Sequence, residues 1–345
     1  MPTILSVIAA LLLLSLLVTI HELGHYTAGR LLGFTIKEFS VGMGPVLLHK
    51  EKNGIRYCLR AFPIGGMCMF IGEDAAAENP NCFNAKPVWK RLITVAAGPI
   101  TNLVFAVLIS VLTLSFYGDY MPSICELSDP AAPAAASGMQ VGDRIVSIGG
   151  KTVYNYNDTV SMIQSVREND VDIVVERDGT RETLHLTDIY NAEEGRKVIG
   201  VVIEPVRANY GIGWALSSSV RYVGSILKDT LGFFGTLFRG QVSSTDVSGP
   251  VGIIAYISEA VRYGSETVLR FAMMISASLG IMNLMPFPAL DGGRLVFLVI
   301  EGIRRKPIPP EKEGMVHFVG LILLFGLIIF LTFNDVSNLI NGVGY

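Results

Sequence analysis

From Leu92 to Tyr117 the sequence reads LITVAAGPITNLVFAVLISVLTLSFY, without one charged residue. A helix needs ~20 apolar residues to cross the hydrocarbon of a bilayer. Three further runs qualify: about Ile4 to about His25, about Phe271 to Leu290, and Val316 to Phe333. Hydrocarbon offers no hydrogen bonds, so runs this long and uncharged must pair their backbone internally, as helices do. The expected fold class is therefore a polytopic α-helical membrane protein with about four transmembrane helices. Composition agrees, with 50% hydrophobic and 17% charged residues and a mean hydropathy of +0.48. The net charge of -3 gives no basic field, so nucleic acid is excluded as a partner and the lipid bilayer is expected. Cys58, Cys68, Cys82 and Cys125 lie far apart with no C-x-x-C spacing, which suits neither a disulfide framework nor a zinc ribbon. The first run lacks a basic leader and is followed by polar residues, so it reads as a retained span rather than a cleaved signal.

Lys and Arg mark the cytoplasmic loops of membrane proteins. Arg30, Lys37, Lys50, Lys52, Arg56, Arg60, Lys86, Lys90 and Arg91 fall between the first two runs. Arg294, Arg304, Arg305, Lys306 and Lys312 fall between the last two. Both loops should be cytoplasmic, with the termini and the stretch from Gly118 to Arg270 outside.

The first run ends in TIHELGHYTAG, Thr19 to Gly29. His21 and His25 are spaced i and i+4, so on a helix both imidazoles leave one face. Such a pair grips one zinc ion and sets Glu22 beside the activated water. Ionisable groups inside a span are costly and point to function. A catalytic zinc takes three protein ligands and keeps one position open. His49 and His317 are candidates for the third, and His185 lies on the wrong side of the membrane. Asp291, in NLMPFPALDGG, fits better: the first and third spans both run inward, so its depth matches that of the histidine pair. Glu22 would take a proton from water and return it to the leaving amine of a cleaved peptide. Asn283, two turns before Asp291, faces broadly the same side. Pro286 and Pro288 break the helix and open backbone groups where a cavity can use them. These three, with Asn102 after Gly98-Pro99, are the candidate substrate contacts.

Asn53-Gly54 reads as the type I′ turn of a hairpin between two alternating runs. With the GMGP stretch from Gly42 to Pro45, it predicts a membrane-associated β region whose edge near Ile55 to Phe70 could accept an unwound substrate as a strand. A polar loop is expected from Glu73 to Asn84. Pro122 to about Pro205 reads as a compact α/β module: a short helix, a Gly142-Asp143 turn, a strand from Arg144 to Ile148, a helix in NYNDTVSMIQSVRE, and a hairpin around Asp178-Gly179. Its AASGMQVGDRIVSIGG core resembles a circularly permuted bacterial PDZ domain, which implies capture of a peptide or carboxyl terminus. Tyr210 to Arg239 is amphipathic but charged, which suits a helix lying in the membrane interface. The expected divisions are 1–117 and 266–345 for the two halves of the membrane core, 118–206 for the PDZ domain and 207–265 for the interfacial linker.

HELGH, AAGPITN and NLMPFPALDGG around one PDZ-like insert resemble the site-2 protease family of intramembrane zinc metalloproteases, nearest the bacterial regulator-of-sigma-E protease branch. Many members of that branch carry two PDZ domains where this chain has one. The resemblance implies Zn2+ held by His21, His25 and Asp291, with Glu22 as the catalytic base. It also implies a bacterial cell membrane, an active site near the cytoplasmic face, and regulated intramembrane proteolysis. The substrates it implies are single-span membrane proteins, such as anti-sigma factors or remnant signal peptides. A metal transporter would instead string ligands across several spans, and a PDZ scaffold would need no HELGH.

Overall fold

A computed structural model describes residues 3–73, 80, 82–192, 195–241 and 247–340. Positions 74–79 and 81 of the expected polar loop, and 242–246 of the expected linker, lie outside the described residues. The chain divides into two compact units, Met1–Val111 with Ser219–Tyr345, and Leu112–Ser218.

In the first unit, helix α1 spans Ile4–Leu31. Thr3 starts it by accepting the Ser6 N–H at its hydroxyl, an N-cap that satisfies one of the free first-turn donors. It stops where Gly33 takes φ +78 and the Phe34 N–H returns to the Gly29 carbonyl at 2.9 Å. Strands β1 (Ile36–Lys52) and β2 (Ile55–Phe70) follow. Asn53 and Gly54 join them with φ of 52° and 75°, the two positive angles a type I′ turn requires. The pairing is more than a hairpin. Tyr57 pairs with Lys50 and also with Phe39, and Phe39 pairs in turn with Cys68. Two strands thus fold into four segments, and Gly66–Phe70 pairs with the start of β1 and, among the described residues, with no other strand.

Helix α2 (Val88–Tyr117) is the second apolar run. It approaches α1 closely through glycines: a Cβ on Gly24 would sit 2.4 Å from the Ala97 carbonyl oxygen. Small residues at such a crossing let two membrane helices pack on each other's backbone.

In the unit Leu112–Ser218, β3 (Asp119–Leu127), α3 (Pro133–Ala136), β4 (Arg144–Ile148), β5 (Lys151–Thr152) and α4 (Asp158–Ser165) precede the hairpin of β6 (Val171–Arg177) and β7 (Thr180–Leu186). The short pair β8 (Tyr190–Asn191) and β9 (Arg196–Lys197) leads to β10 (Val201–Ala208). The main sheet runs β10-β3-β4-β6-β7, with β5 beside β4. Ile124, Ile145, Ile148, Val153, Ile173 and Leu186 are buried in one apolar core.

Helix α5 covers Ile212–Phe238, and α6 covers Pro250–Tyr263. The buried Asp335 carboxylate accepts the Gly249 and Gly252 N–H groups at 3.1 and 2.8 Å, satisfying the start of α6. Helix α7 runs Ser265–Leu284. The third span was expected to reach Leu290; it stops at Leu284, because Pro286 and Pro288 cannot continue a helix and Ala289 takes φ +77. The basic connector expected next is a helix, α8 (Asp291–Arg304), and the chain ends in α9 (Pro310–Ile340). Among the described residues four helices are long and apolar enough to cross a membrane: α1, α2, α7 and α9.

Candidate active site

His21 and His25 lie one turn apart on α1, with ring centroids 4.7 Å apart and planes nearly perpendicular. Their Nε2 atoms approach to 3.1 Å. Asp291, the first residue of α8, brings Oδ2 to 3.0 Å from His21 Nε2 and 3.3 Å from His25 Nε2. The three donor atoms form a nearly equilateral triangle. In a tetrahedral zinc site with bonds of ~2.0–2.1 Å, neighbouring donors lie roughly 3.3 Å apart. Asp291 Oδ2 is buried and makes no hydrogen bond despite these short approaches. Two imidazole nitrogens and a carboxylate oxygen that converge on one point at these distances present their lone pairs as the ligands of a cation do. The donor set therefore fits zinc.

The surroundings orient the rings. His25 Nδ1 hydrogen-bonds to the Thr94 carbonyl at 2.9 Å, which puts its proton on Nδ1 and leaves Nε2 free to ligate. Gly98 provides the space: a Cβ there would be 2.3 Å from His25 Nε2. Behind His21 stands Asn102, fully buried, with its amide nitrogen 3.5 Å from His21 Nδ1. Its Oδ1 has no hydrogen-bond partner. An Nδ1–H on His21 needs an acceptor, and a half-turn of the Asn102 amide supplies that same oxygen. Asn102 thus faces the His21 ring and is fully buried. Its carbonyl accepts the Ser276 hydroxyl of α7 at 2.8 Å.

Glu22 follows His21 on the same turn, and its side chain faces the Gly66–Cys68 stretch of β2. Gly66 passes so close that a Cβ would meet Glu22 Cγ at 3.0 Å. His21, Glu22, His25, Cys68, Phe70 and Asp291 line a cleft of about 210 Å³. A larger hollow of about 440 Å³ shares Glu73, Asp291 and Arg294 with it and adds Glu313 and His317. Arg294 pairs with the Glu73 carboxylate, reaches Glu313 at 3.3 Å, and lies 5.4 Å over the Phe83 ring.

The remaining sequence candidates fall as follows. Asn283 is half-buried in the last turn of α7, Pro286 is exposed and Pro288 half-buried in the turn leading to Asp291. Because α7 ends at Leu284, Asn283 and Asp291 do not share one helix, and the two-turn argument for their common side fails. His49 pairs with Cys58 in the sheet. His317 accepts the Ala289 N–H at Nδ1, 3.0 Å away. Among the described residues, the cluster able to hold a metal is His21, His25 and Asp291. Sequence reading missed the Thr94 carbonyl, because a backbone group leaves no mark in a sequence. Gly98 did leave one, beside Pro99.

Comparison with known proteins gives one answer. The profile described as "Peptidase family M50" matches residues 9–327. A protein of Agrobacterium fabrum is 33% identical, over 97% of this chain and 96% of its own length. One of Synechocystis is 35% identical, over 98% and 96%, and one of Fusobacterium nucleatum 31%, over 96% and 98%. All three carry the name "Putative zinc metalloprotease". A zinc-fitting cluster built on HELGH, in a chain with four apolar helices, agrees with that likeness. The chain belongs to peptidase family M50, the site-2 protease family, and is a zinc metalloprotease.

Proposed function

We propose that this protein is an intramembrane endopeptidase in which His21, His25 and Asp291 hold the zinc and Glu22 handles the proton. The observation that carries the reading is the meeting of three potential ligand atoms, two from α1 and one from α8, within 3.3 Å of one another beside a carboxylate. Zinc, when bound, supplies Lewis acidity that activates a water and polarises a peptide carbonyl. Glu22 accepts the proton of that water and delivers it to the departing amine. Thr94 holds the ring of His25, and Asn102 that of His21, so Asn102 serves as a positioning residue. Asn283 and the turn at Pro286 and Pro288 offer polar and backbone groups to an unwound substrate. The Gly66–Phe70 edge runs past Glu22, which supports docking of the scissile stretch as an added strand.

The finer reading adds sidedness and substrate. The two basic loops face the cytoplasm, and the termini and the α/β unit face outward at a bacterial cell membrane. Residues 118–206 serve as a PDZ domain, 1–117 and 266–345 form the membrane core, and 207–265 form an interfacial linker. The PDZ domain binds a peptide or a carboxyl terminus. Substrates are single-span membrane proteins in regulated intramembrane proteolysis, of the anti-sigma-factor or remnant-signal-peptide type. Membrane proteomes of cells carrying wild-type or Glu22→Ala protein test this: single-span fragments should accumulate in the mutant. Identical fragment sets in the two strains would refute it.

A further inference from the structure

The turn that delivers Asp291 is held in a shape its own residues resist. Ala289 has φ +77, a region that residues with a Cβ avoid. Gly292 and Gly293 make the turn possible, since a Cβ on either would meet the Met285 or Phe287 carbonyl oxygen at 2.0 or 2.5 Å. Helix α9 closes on the same turn. Gly320 lies so near that its Cβ would sit 2.4 Å from Pro288 Cβ. His317, three residues earlier and on the same face of α9, accepts the Ala289 N–H at Nδ1 across 3.0 Å. The ring rests 5.7 Å from Phe297 of α8, and Glu313 Oε1 is 3.9 Å from Nε2. The Ala289 peptide that donates to His317 Nδ1 lies two residues before Asp291.

We propose that His317 is a positioning residue for the metal centre: by holding the strained Ala289 peptide, it fixes where Asp291 presents its carboxylate. The inference rests on the reading of Asp291 as a zinc ligand. It gives the last helix, which contributes no ligand to the cluster, a direct hold on the site.

The test measures how fast a chelator strips zinc from the purified full chain, with melting temperature recorded beside it. His317→Phe keeps the ring's bulk and removes the acceptor, and should lose zinc roughly tenfold faster, the scale of outer-shell changes. His317→Asn places an oxygen near the position of Nδ1 and should hold zinc nearly as wild type does. His317→Gln carries the same amide one carbon too far and should behave like His317→Phe. Adding Ala289→Gly to His317→Phe should restore much of the retention, because glycine takes a positive φ unaided. Wild-type retention in His317→Phe would overturn the proposal. If that variant does not fold, equal retention in the Asn and Gln variants would overturn it as well. Asp291→Ala is the separate control: should it keep its zinc, the ligand reading falls, whatever the His317 variants do.

Discussion

Val141 and Leu323 are equally exposed, at 63% and 61%, yet they face different surroundings. Val141 belongs to the unit Leu112–Ser218, where apolar side chains gather in one core. The buried carboxylate beside it, Asp143, is paired with Arg177 at 2.7 Å. Leu323 belongs to α9, in a unit that has buried apolar clusters of its own but also turns much apolar helix surface outward. There Ile4, Leu31, Phe330 and Phe333 point outward, while Ser15, Thr94, Asn102, Ser276, His21 and His25 are buried. The first pattern is what the hydrophobic effect builds in water. The second is what a chain builds in hydrocarbon, where apolar packing against lipid costs nothing and polar groups must find each other. Only the second kind of interior gives two histidines and an aspartate a dry meeting place.

The largest effect expected from disturbing that contrast is at the tightest polar contact. Gly98→Ala would drive a methyl into the His25 ring that Thr94 holds, and zinc affinity should fall by roughly 100-fold, the upper end for outer-shell changes. Competition with a chromogenic chelator measures it, and unchanged affinity would show that His25 has room to move. A smaller effect compares the two exposed positions directly. Leu323→Asp should cost about 3 kcal/mol of membrane insertion, whereas Val141→Asp should change stability by about 0.5 kcal/mol or less. Insertion assays and thermal melts of both variants read the difference, and equal costs would erase the distinction between the units. The smallest effect is electrostatic. Asp172 hydrogen-bonds His185 at 2.7 Å and raises its pKa above the ordinary value. That pair stabilises the β6–β7 hairpin fully below pH ~6.5 and loses its effect as pH rises through the folded pKa. Histidine-selective NMR should show the elevated titration, returning to normal in Asp172→Asn.

How much of this could be read in the sequence followed the range of each interaction. HELGH was legible because the spacing of two ligands along a helix is local. Asp291 was expected beside them because the first and third spans were read as running the same way, and the structure brings it within 3.3 Å of both rings. The type I′ turn at Asn53-Gly54 and the strand from Arg144 to Ile148 rest on neighbouring residues, and the structure has both. The four-segment sheet was not legible, since Phe39 finds Tyr57 on one side and Cys68 on the other, and nothing local specifies a second partner. The end of α7 was misplaced because Pro286 and Pro288 mark a break without saying that the chain leaves the helix before them. Helix α8 was hidden by its own charges, which read as a connector. Asn102 carried a polar signal, but only packing shows that it faces His21.

The central claim is that His21, His25 and Asp291 hold zinc for a reaction in which Glu22 moves the proton. Zinc content and cleavage of a single-span substrate, measured together on purified Glu22→Gln and Asp291→Ala proteins, test it most directly. The account predicts zinc bound at the wild-type level but no cleavage in Glu22→Gln, and loss of both in Asp291→Ala. Cleavage by Glu22→Gln, or a full complement of zinc in Asp291→Ala, would contradict it.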